Sequence, residues 1–208
     1  MREQDFRELA GIVYYELRSP LTSIVGYAEL MLGETAGPIN DNQRDMIQTM
    51  SRNSRHCLNV LHYLYEVILL RAGEKKPVFE AIDINVILDA VLERYADYLN
   101  GTGAILRINR ADTDLVVRAD RYYLELLLGQ LVQDMPNGPS KPTEIRLYIQ
   151  EGSVFIDIQA GFRQETSKTM WPQPLVAFMA RSILEVHGGA MAGGYDRHFQ
   201  MRMPESSK

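Results

Sequence analysis

Apolar residues recur every three to four positions through most of the stretch before Ala72, and that rhythm constrains the chain more than any other feature. Ala10, Tyr14, Leu17, Leu21, Ile24, Ala28 and Met31 follow at alternating steps of four and three. A turn-forming stretch, "GETAGPIN" from Gly33 to Asn40, interrupts them. The rhythm then resumes: Ile47, Met50, Ser54, Cys57, Leu61, Leu64 and Ile68 make one stripe, with Met46, Asn53, Val60 and Val67 beside it. Residues at this spacing share one side of an α-helix and favour helix pairing. The glycines and proline between them predict a helical hairpin. Asp41 is placed to cap the second helix, which runs to about Ala72. Each helix is about 40 Å long at 1.5 Å per residue. A two-helix hairpin is too thin to bury stripes this wide, and a homodimer forming a four-helix bundle solves the problem.

The pattern changes after "GEKKP", Gly73 to Pro77, so a boundary is expected there, with one domain over 1–76 and a second over 77–208. "VFEAIDI" predicts a strand, and Asn85 or Asp83 can cap a helix running to about Leu99. "AILRIN" and "DLVVRA" read as short strands around a turn at "RADTD". A helix follows Asp120 and ends before "PNGPSKP". "TEIRLYIQEGSVFIDIQ" alternates apolar and polar residues on both sides of Glu151-Gly152, as a β-hairpin does. A helix from about Pro174 to His187 ends at Gly188-Gly189, and "AMAGGYD" with "HFQMRMP" predicts a second hairpin. The arrangement implies a sheet with helices on one face, an α/β sandwich, within an α+β chain.

Charge and cysteine usage exclude several classes. The chain carries a net charge of -5 over 208 residues, without the basic footprint that nucleic acid or an anionic membrane demands. No apolar run reaches the length of a membrane span, and "MREQDFREL" lacks the apolar core of a signal peptide. No direct membrane insertion is expected, and a cytoplasmic location is. The single cysteine, Cys57, excludes an intrachain disulfide. Its place on the seam predicts a small buried hydrophobe. The four histidines and one cysteine show no metal-ligand spacing.

With both halves placed, "YYELRSPLTSIVGYAELM" resembles the phosphoacceptor helix of sensor histidine kinases, whose pattern is S-H-E-L-R-T-P-L-T-x-I-x-G-Y-x-E-L. Glu16, Leu17, Arg18, Pro20, Leu21, Ile24, Gly26, Tyr27 and Leu30 carry the match. "VILDAVLERY", "RADRYYLELLLGQLVQD" and "LVAFMARSILEVHGGAM" resemble successive parts of the family's ATP-binding domain, whose last helix ends in I-V-E-x-H-G-G. The resemblance implies an N-terminal antiparallel hairpin, a four-helix bundle on dimerisation, and then a GHKL or Bergerat-like α/β sandwich. It also accounts for Pro20, since that family's helix bends below its phosphoacceptor.

The residues that would carry the chemistry depart from the family's pattern. Tyr15 stands where the phosphoacceptor histidine would stand. A phenol ionises near pH 10 and needs an activating base, and its phosphate ester is too stable to donate readily to a carboxylate. The paired asparagines of N-L-x-x-N-A fall at Gln130 and Asp134. The adenine-reading aspartate of D-x-G-x-G falls at Gln159, followed by Ala160, Gly161 and Phe162, so Gly161 alone survives. The phosphate-cradling G-L-G falls at Pro174, Leu175 and Val176, and little chain is left for a lid between Phe162 and Pro174. Trp171 sits where that lid would be and is expected to plug the old pocket.

No catalytic residue and no cofactor are therefore expected. The resemblance implies a pseudokinase that dimerises and binds a two-component partner, either a response regulator or a true kinase. Tyr15, Glu16, Arg18, Ser19 and Thr22 are the candidate contacts. The alternative is a divergent kinase that still binds ATP and magnesium, or a phosphotransferase in a phosphorelay. His56 and His62 read as surface or packing residues, His187 as a helix C-terminal residue, and His198 as part of a strand.

Overall fold

The computed structural model describes residues 3–135, 142–161, 171–193 and 198–206. Its contacts divide the chain into two units, Met1–Lys75 and Lys76–Lys208.

The first unit is a helical hairpin of α1 (Glu3–Leu32) and α2 (Asp41–Arg71). Tyr14 and Ala28 of α1 are buried, as are Ile47, Ser51, Ser54, Val67 and Leu70 of α2. Leu17, Ile24 and Met31 remain exposed, and so do Met46 and Met50. The expected seam is thus two flanks, and the partner helix of the same chain covers one of them. Cys57 belongs to the uncovered flank and is exposed, not buried as expected. Asn40, not Asp41, caps α2: its side chain accepts from the Gln43 N–H while the Gln43 side chain accepts from the Asn40 N–H, both at 2.9 Å. This reciprocal box satisfies two backbone donors at once, which an aspartate one residue later does not achieve. α1 runs unbroken through Pro20. Around it the Thr22 and Ser23 hydroxyls donate to the carbonyls of Arg18 and Ser19, at 2.8 and 3.2 Å. At the far end of α2 the Lys75 ammonium holds the buried Glu66 carboxylate at 2.6 Å.

The second unit is an α/β sandwich. Its elements are β1 (Glu80–Asp83), α3 (Ile84–Arg94), α4 (Ala96–Thr102), β2 (Leu106–Arg110), β3 (Val116–Ala119), α5 (Arg121–Gln133), β4 (Thr143–Gln150), β5 (Ser153–Gln159), α6 (Pro174–Val186), β6 (Ala190–Gly193) and β7 (His198–Pro204). The main sheet has the order β2-β4-β5-β7-β6. β2 is parallel to β4 and the other pairs are antiparallel. Ile145 and Leu147, then Val154, Ile156 and Ile158, then Phe199, Met201 and Met203 form its buried face. They meet a helical layer that buries Ile87, Leu88 and Val91 of α3, Leu124, Leu127 and Leu131 of α5, and Ala180, Ile183 and Leu184 of α6. The opposite face is more polar, with a Tyr148–Phe155 stack at 5.0 Å and an Asp157–His198 pair.

Several expectations need correction. β2 and β3 flank one turn but do not pair; β3 joins β1 in a separate two-stranded sheet. The helix expected to reach Leu99 breaks at Tyr95 (φ -102°, ψ 14°), whose ring lies over Gly129 of α5. Asp83 caps α3, accepting from the Asn85 N–H at 2.9 Å. The β4–β5 turn uses positive φ at both Glu151 (51°) and Gly152 (66°), the geometry that a two-residue hairpin favours. Residues 194–197, between β6 and β7, and 162–170, in the stretch that leaves little chain for a lid, lie outside the described residues. No described helix is long and apolar enough to cross a membrane.

Physics also explains the paired glycines after α6. Gly188 adopts φ 69°, the left-handed conformation that ends helices. At Gly189 an added Cβ would lie 2.5 Å from the Arg202 carbonyl oxygen. Gly189→Ala is expected to cost about 1–3 kcal/mol by overpacking. Urea unfolding followed by the fluorescence of the one tryptophan, Trp171, measures it, and an unchanged midpoint contradicts the close approach.

Candidate functional site

Two places concentrate the residues that the sequence singles out. The first is on the hairpin. Tyr15 is 63% exposed. Its neighbour Tyr14 stacks on Tyr65 of α2, with ring centroids 4.5 Å apart and planes 11° from parallel. Tyr15 meets both rings edge-on, at 5.1 Å from Tyr14 and 6.1 Å from Tyr65. Arg18 reaches back one turn, and its Nη1 donates to the Tyr14 hydroxyl at 2.9 Å. Among the described residues, the polar group that meets the Tyr15 hydroxyl is the Tyr65 phenol. Burial, reinforced by Tyr15, pushes the Tyr65 pKa up. A neutral phenol is a poor proton acceptor.

Tyr15, Glu16, Arg18, Ser19 and Thr22 are all exposed, and helical spacing gathers Tyr15, Ser19 and Thr22 on one side. His56 is exposed on α2, and the half-buried His62 ring lies 6.5 Å from Tyr14. Tyr65 is a contact that local sequence gives no way to find, because it is 50 residues from Tyr15 and sits in an apolar stretch of α2.

The second place is where α5 ends and α6 begins. Asp120 starts α5, accepting from the Tyr122 N–H at 2.9 Å. Gln130 and Asp134 then fall one turn apart. Gln130 is buried, and neither atom of its amide has a hydrogen-bond partner among the described residues. Asp134 forms the C-cap of α5, and its Oδ2 accepts from the Gln173 N–H at 2.6 Å. Gln173 is the N-cap of α6, and Pro174 is its first residue. Burial pushes the Asp134 carboxyl up to about 6, against the opposing pull of the Gln173 N–H. Val176 is buried in the first turn of α6.

Trp171 is buried with its ring 6.4 Å from Phe199, and its indole N–H has no partner among the described residues. Gln159 and Gly161 lie at the end of β5, where the Gly161 N–H donates to the Thr143 hydroxyl at 3.1 Å. The structure therefore joins Asp134 to the start of α6 through Gln173, a residue that the sequence pattern did not single out. Phe162 lies outside the described residues. No cluster of three metal-ligating side chains occurs among the described residues.

Comparison with known proteins follows the same division. The His Kinase A (phospho-acceptor) domain family matches residues 7–67. The cell-division control histidine kinase PdhS of Brucella ovis is 36% identical over 90 residues, 43% of this chain and 8% of that protein. PdhS of Brucella anthropi is 34% identical over a stretch of the same length. The chain thus spans about 8% of the length of the curated relatives it matches. Among solved structures, ShkA in complex with AMPPNP aligns over 97% of this chain and 46% of its own, with a TM-score of 0.63 and 17% identity. The Acinetobacter baumannii histidine kinase AdeS covers 93% of this chain and 98% of its own, with a TM-score of 0.58 and 16% identity. The histidine kinase ThkA, in complex with the response regulator protein TrrA, covers 96% and 61%, with a TM-score of 0.59 and 18% identity.

Proposed function

We propose that this member of the sensor histidine kinase family, with its phosphoacceptor-type hairpin and GHKL-type sandwich, is a non-catalytic, cytoplasmic docking protein of two-component signalling. It dimerises through the hairpin and binds a response regulator or a true kinase, changing that partner's activity by occupancy. No phosphoryl group passes through it.

The observation that carries this reading is the surroundings of Tyr15. The position that needs an imidazole holds a phenol, and the polar neighbour of that phenol is another phenol whose proton is held more tightly than usual. Neither is a general base that would activate the other. The sandwich domain supports the same reading, because its residues do not suit magnesium and a triphosphate. Asp134 is committed to the Gln173 N–H. Pro174 brings no N–H to the start of α6, and helix starts rely on such donors to hold phosphate. The face of Tyr15, Glu16, Arg18, Ser19 and Thr22 remains exposed. A relative of the same fold is seen in complex with a response regulator.

Calorimetric titration with Mg-ATP is the first test, and no binding up to millimolar nucleotide is expected. Clear micromolar binding sinks the reading in favour of a divergent kinase. Tyr15→His is the second test. The variant is expected to incorporate no label from γ-labelled ATP, because the acceptor is not the only part that has changed. Stoichiometric labelling of that variant would show a working nucleotide site.

A further inference from the structure

We propose that a cleft at the C-terminal end of α6 binds a small zwitterionic amino acid whose apolar side chain carries a hydrogen-bond donor, with His187 as the acceptor of that donor. The site lies at the opposite end of α6 from Asp134 and Gln173, and the proposal does not depend on the docking role above.

The cleft has a volume of about 470 Å³, within the range of about 300–1,000 Å³ that small-molecule sites occupy. Phe79, Val186 and Pro204 give it apolar walls. His187 also lines it and is itself buried. The His187 Nδ1 lies 2.7 Å from the Ile183 carbonyl oxygen. A carbonyl can only accept, so Nδ1 carries the proton and Nε2 carries the lone pair. Burial lowers the His187 pKa, against the opposing pulls of the Ile183 carbonyl and the Asp120 charge. The ring is therefore a neutral acceptor at pH 7.5.

That acceptor is unused. Nε2 is buried and has no hydrogen-bond partner among the described residues. Buried polar atoms are normally paired, and leaving one bare costs about 1–3 kcal/mol. With Nδ1 turned back on α6, the Nε2 edge is the one left to meet a ligand. The exposed Phe79 ring packs edge-on at 5.2 Å from the imidazole, and it is the side chain that can turn aside to admit a donor.

The charges around the cleft complete the description of the ligand. Arg118 of β3 and Glu205, just after β7, both line the cleft and are exposed. Among the described residues neither makes an ion pair, with the other or with a third side chain. An arginine fork suits a carboxylate and a glutamate suits an ammonium. An α-amino acid presents that pair of charges on one carbon. Its side chain is then left to pack on Phe79, Val186 and Pro204 and to donate to Nε2. A phenol or an indole offers both an apolar body and such a donor.

The test is calorimetric titration of the full chain at pH 7.5 with L-tyrosine, L-phenylalanine and N-acetyl-L-tyrosine. L-Tyrosine is expected to bind with a Kd below about 1 mM. L-Phenylalanine, which lacks the donor, and N-acetyl-L-tyrosine, which lacks the ammonium, are each expected to bind at least tenfold more weakly. Arg118→Gln, an exposed substitution, is expected to weaken L-tyrosine at least tenfold. In ¹H–¹⁵N spectra, L-tyrosine is expected to shift the Phe79, Arg118 and His187 amides and to leave that of Gln173 in place. Absence of L-tyrosine binding up to its solubility overturns the proposal. So does equal affinity for L-tyrosine and L-phenylalanine, or an affinity that Arg118→Gln leaves unchanged. Micromolar Mg-ATP binding bears on the non-catalytic reading alone, so the two proposals fail separately.

Discussion

Leu17→Asp combined with Ile24→Asp is expected to convert the proposed dimer into a monomer, raising its dissociation constant at least about a thousandfold. Val13, Leu17, Ile24 and Met31 recur at heptad spacing along α1, and all four are exposed in the single chain. Met46, Met50 and Cys57 repeat that spacing on α2 and are likewise exposed. Soluble monomers rarely leave apolar stripes of this extent facing water. A second copy of the hairpin would cover both stripes. Each substitution occurs twice in a two-fold dimer, so four carboxylates enter the interface. Each costs about 1–3 kcal/mol if its charge stays partly solvated. Even the low end of that range gives about 4 kcal/mol, which is about a thousandfold in affinity. Light scattering on the full chain measures the outcome. Thr22→Asp, on the neighbouring exposed face, is expected to leave the mass unchanged. A wild-type monomer at tens of micromolar removes the four-helix bundle from the proposal.

Asp134→Asn is expected to stabilise the sandwich domain at pH 7.5 by about 2–3 kcal/mol. The folded-state pKa of Asp134 is raised from 3.8 to about 6. The folded chain therefore binds this proton more tightly than the unfolded chain does. The stability it contributes is fully present below about pH 4 and is lost as pH rises through about 6. A shift of about two units corresponds to about 3 kcal/mol, reduced somewhat because the group is not wholly buried. Other carboxylates titrate over the same range, so the informative quantity is the difference between variant and wild type. That difference is expected to be near zero below pH 4 and to grow between pH 4 and 7. Urea unfolding followed through Trp171 reads the sandwich unit directly, since this buried ring is the only tryptophan. A difference that does not change with pH contradicts the burial of the charged carboxylate.

The elements were legible wherever a period or a strong punctuation mark ran locally. Steps of three and four gave both long helices, and alternation around Glu151-Gly152 gave β4 and β5 with their turn. Gly188-Gly189 marked the end of α6. What escaped was information that sits between elements. A heptad pattern announces two flanks without saying which one the same chain covers, and so does not tell that Cys57 is exposed. No glycine or proline marks the break at Tyr95, whose ring packs on Gly129 of α5. The pairing of β2 with β4 crosses α5, and a parallel partner leaves no hairpin signature. At the candidate site, the unusual residues at positions 15, 130 and 134 stood out against the family's pattern. The hydrogen bond that gives Asp134 its meaning spans 39 residues to a backbone N–H, and a backbone donor has no letter in the sequence.

The strand order has a consequence for how the protein is made. β7, the last strand in the chain, is inserted between β5 and β6, and both of its edges are hydrogen-bonded. A nascent chain that has not yet delivered His198 to Pro204 leaves β5 with a bare edge and Val154, Ile156 and Ile158 without their partners. Edges of that kind template pairing with other chains. The hairpin, by contrast, is built from contacts between neighbouring segments and can form as it leaves the ribosome. Ribosomal stalling or C-terminal proteolysis upstream of His198 would thus yield a helical stump attached to an aggregation-prone half-sheet, a ready substrate for chaperones and quality-control proteases.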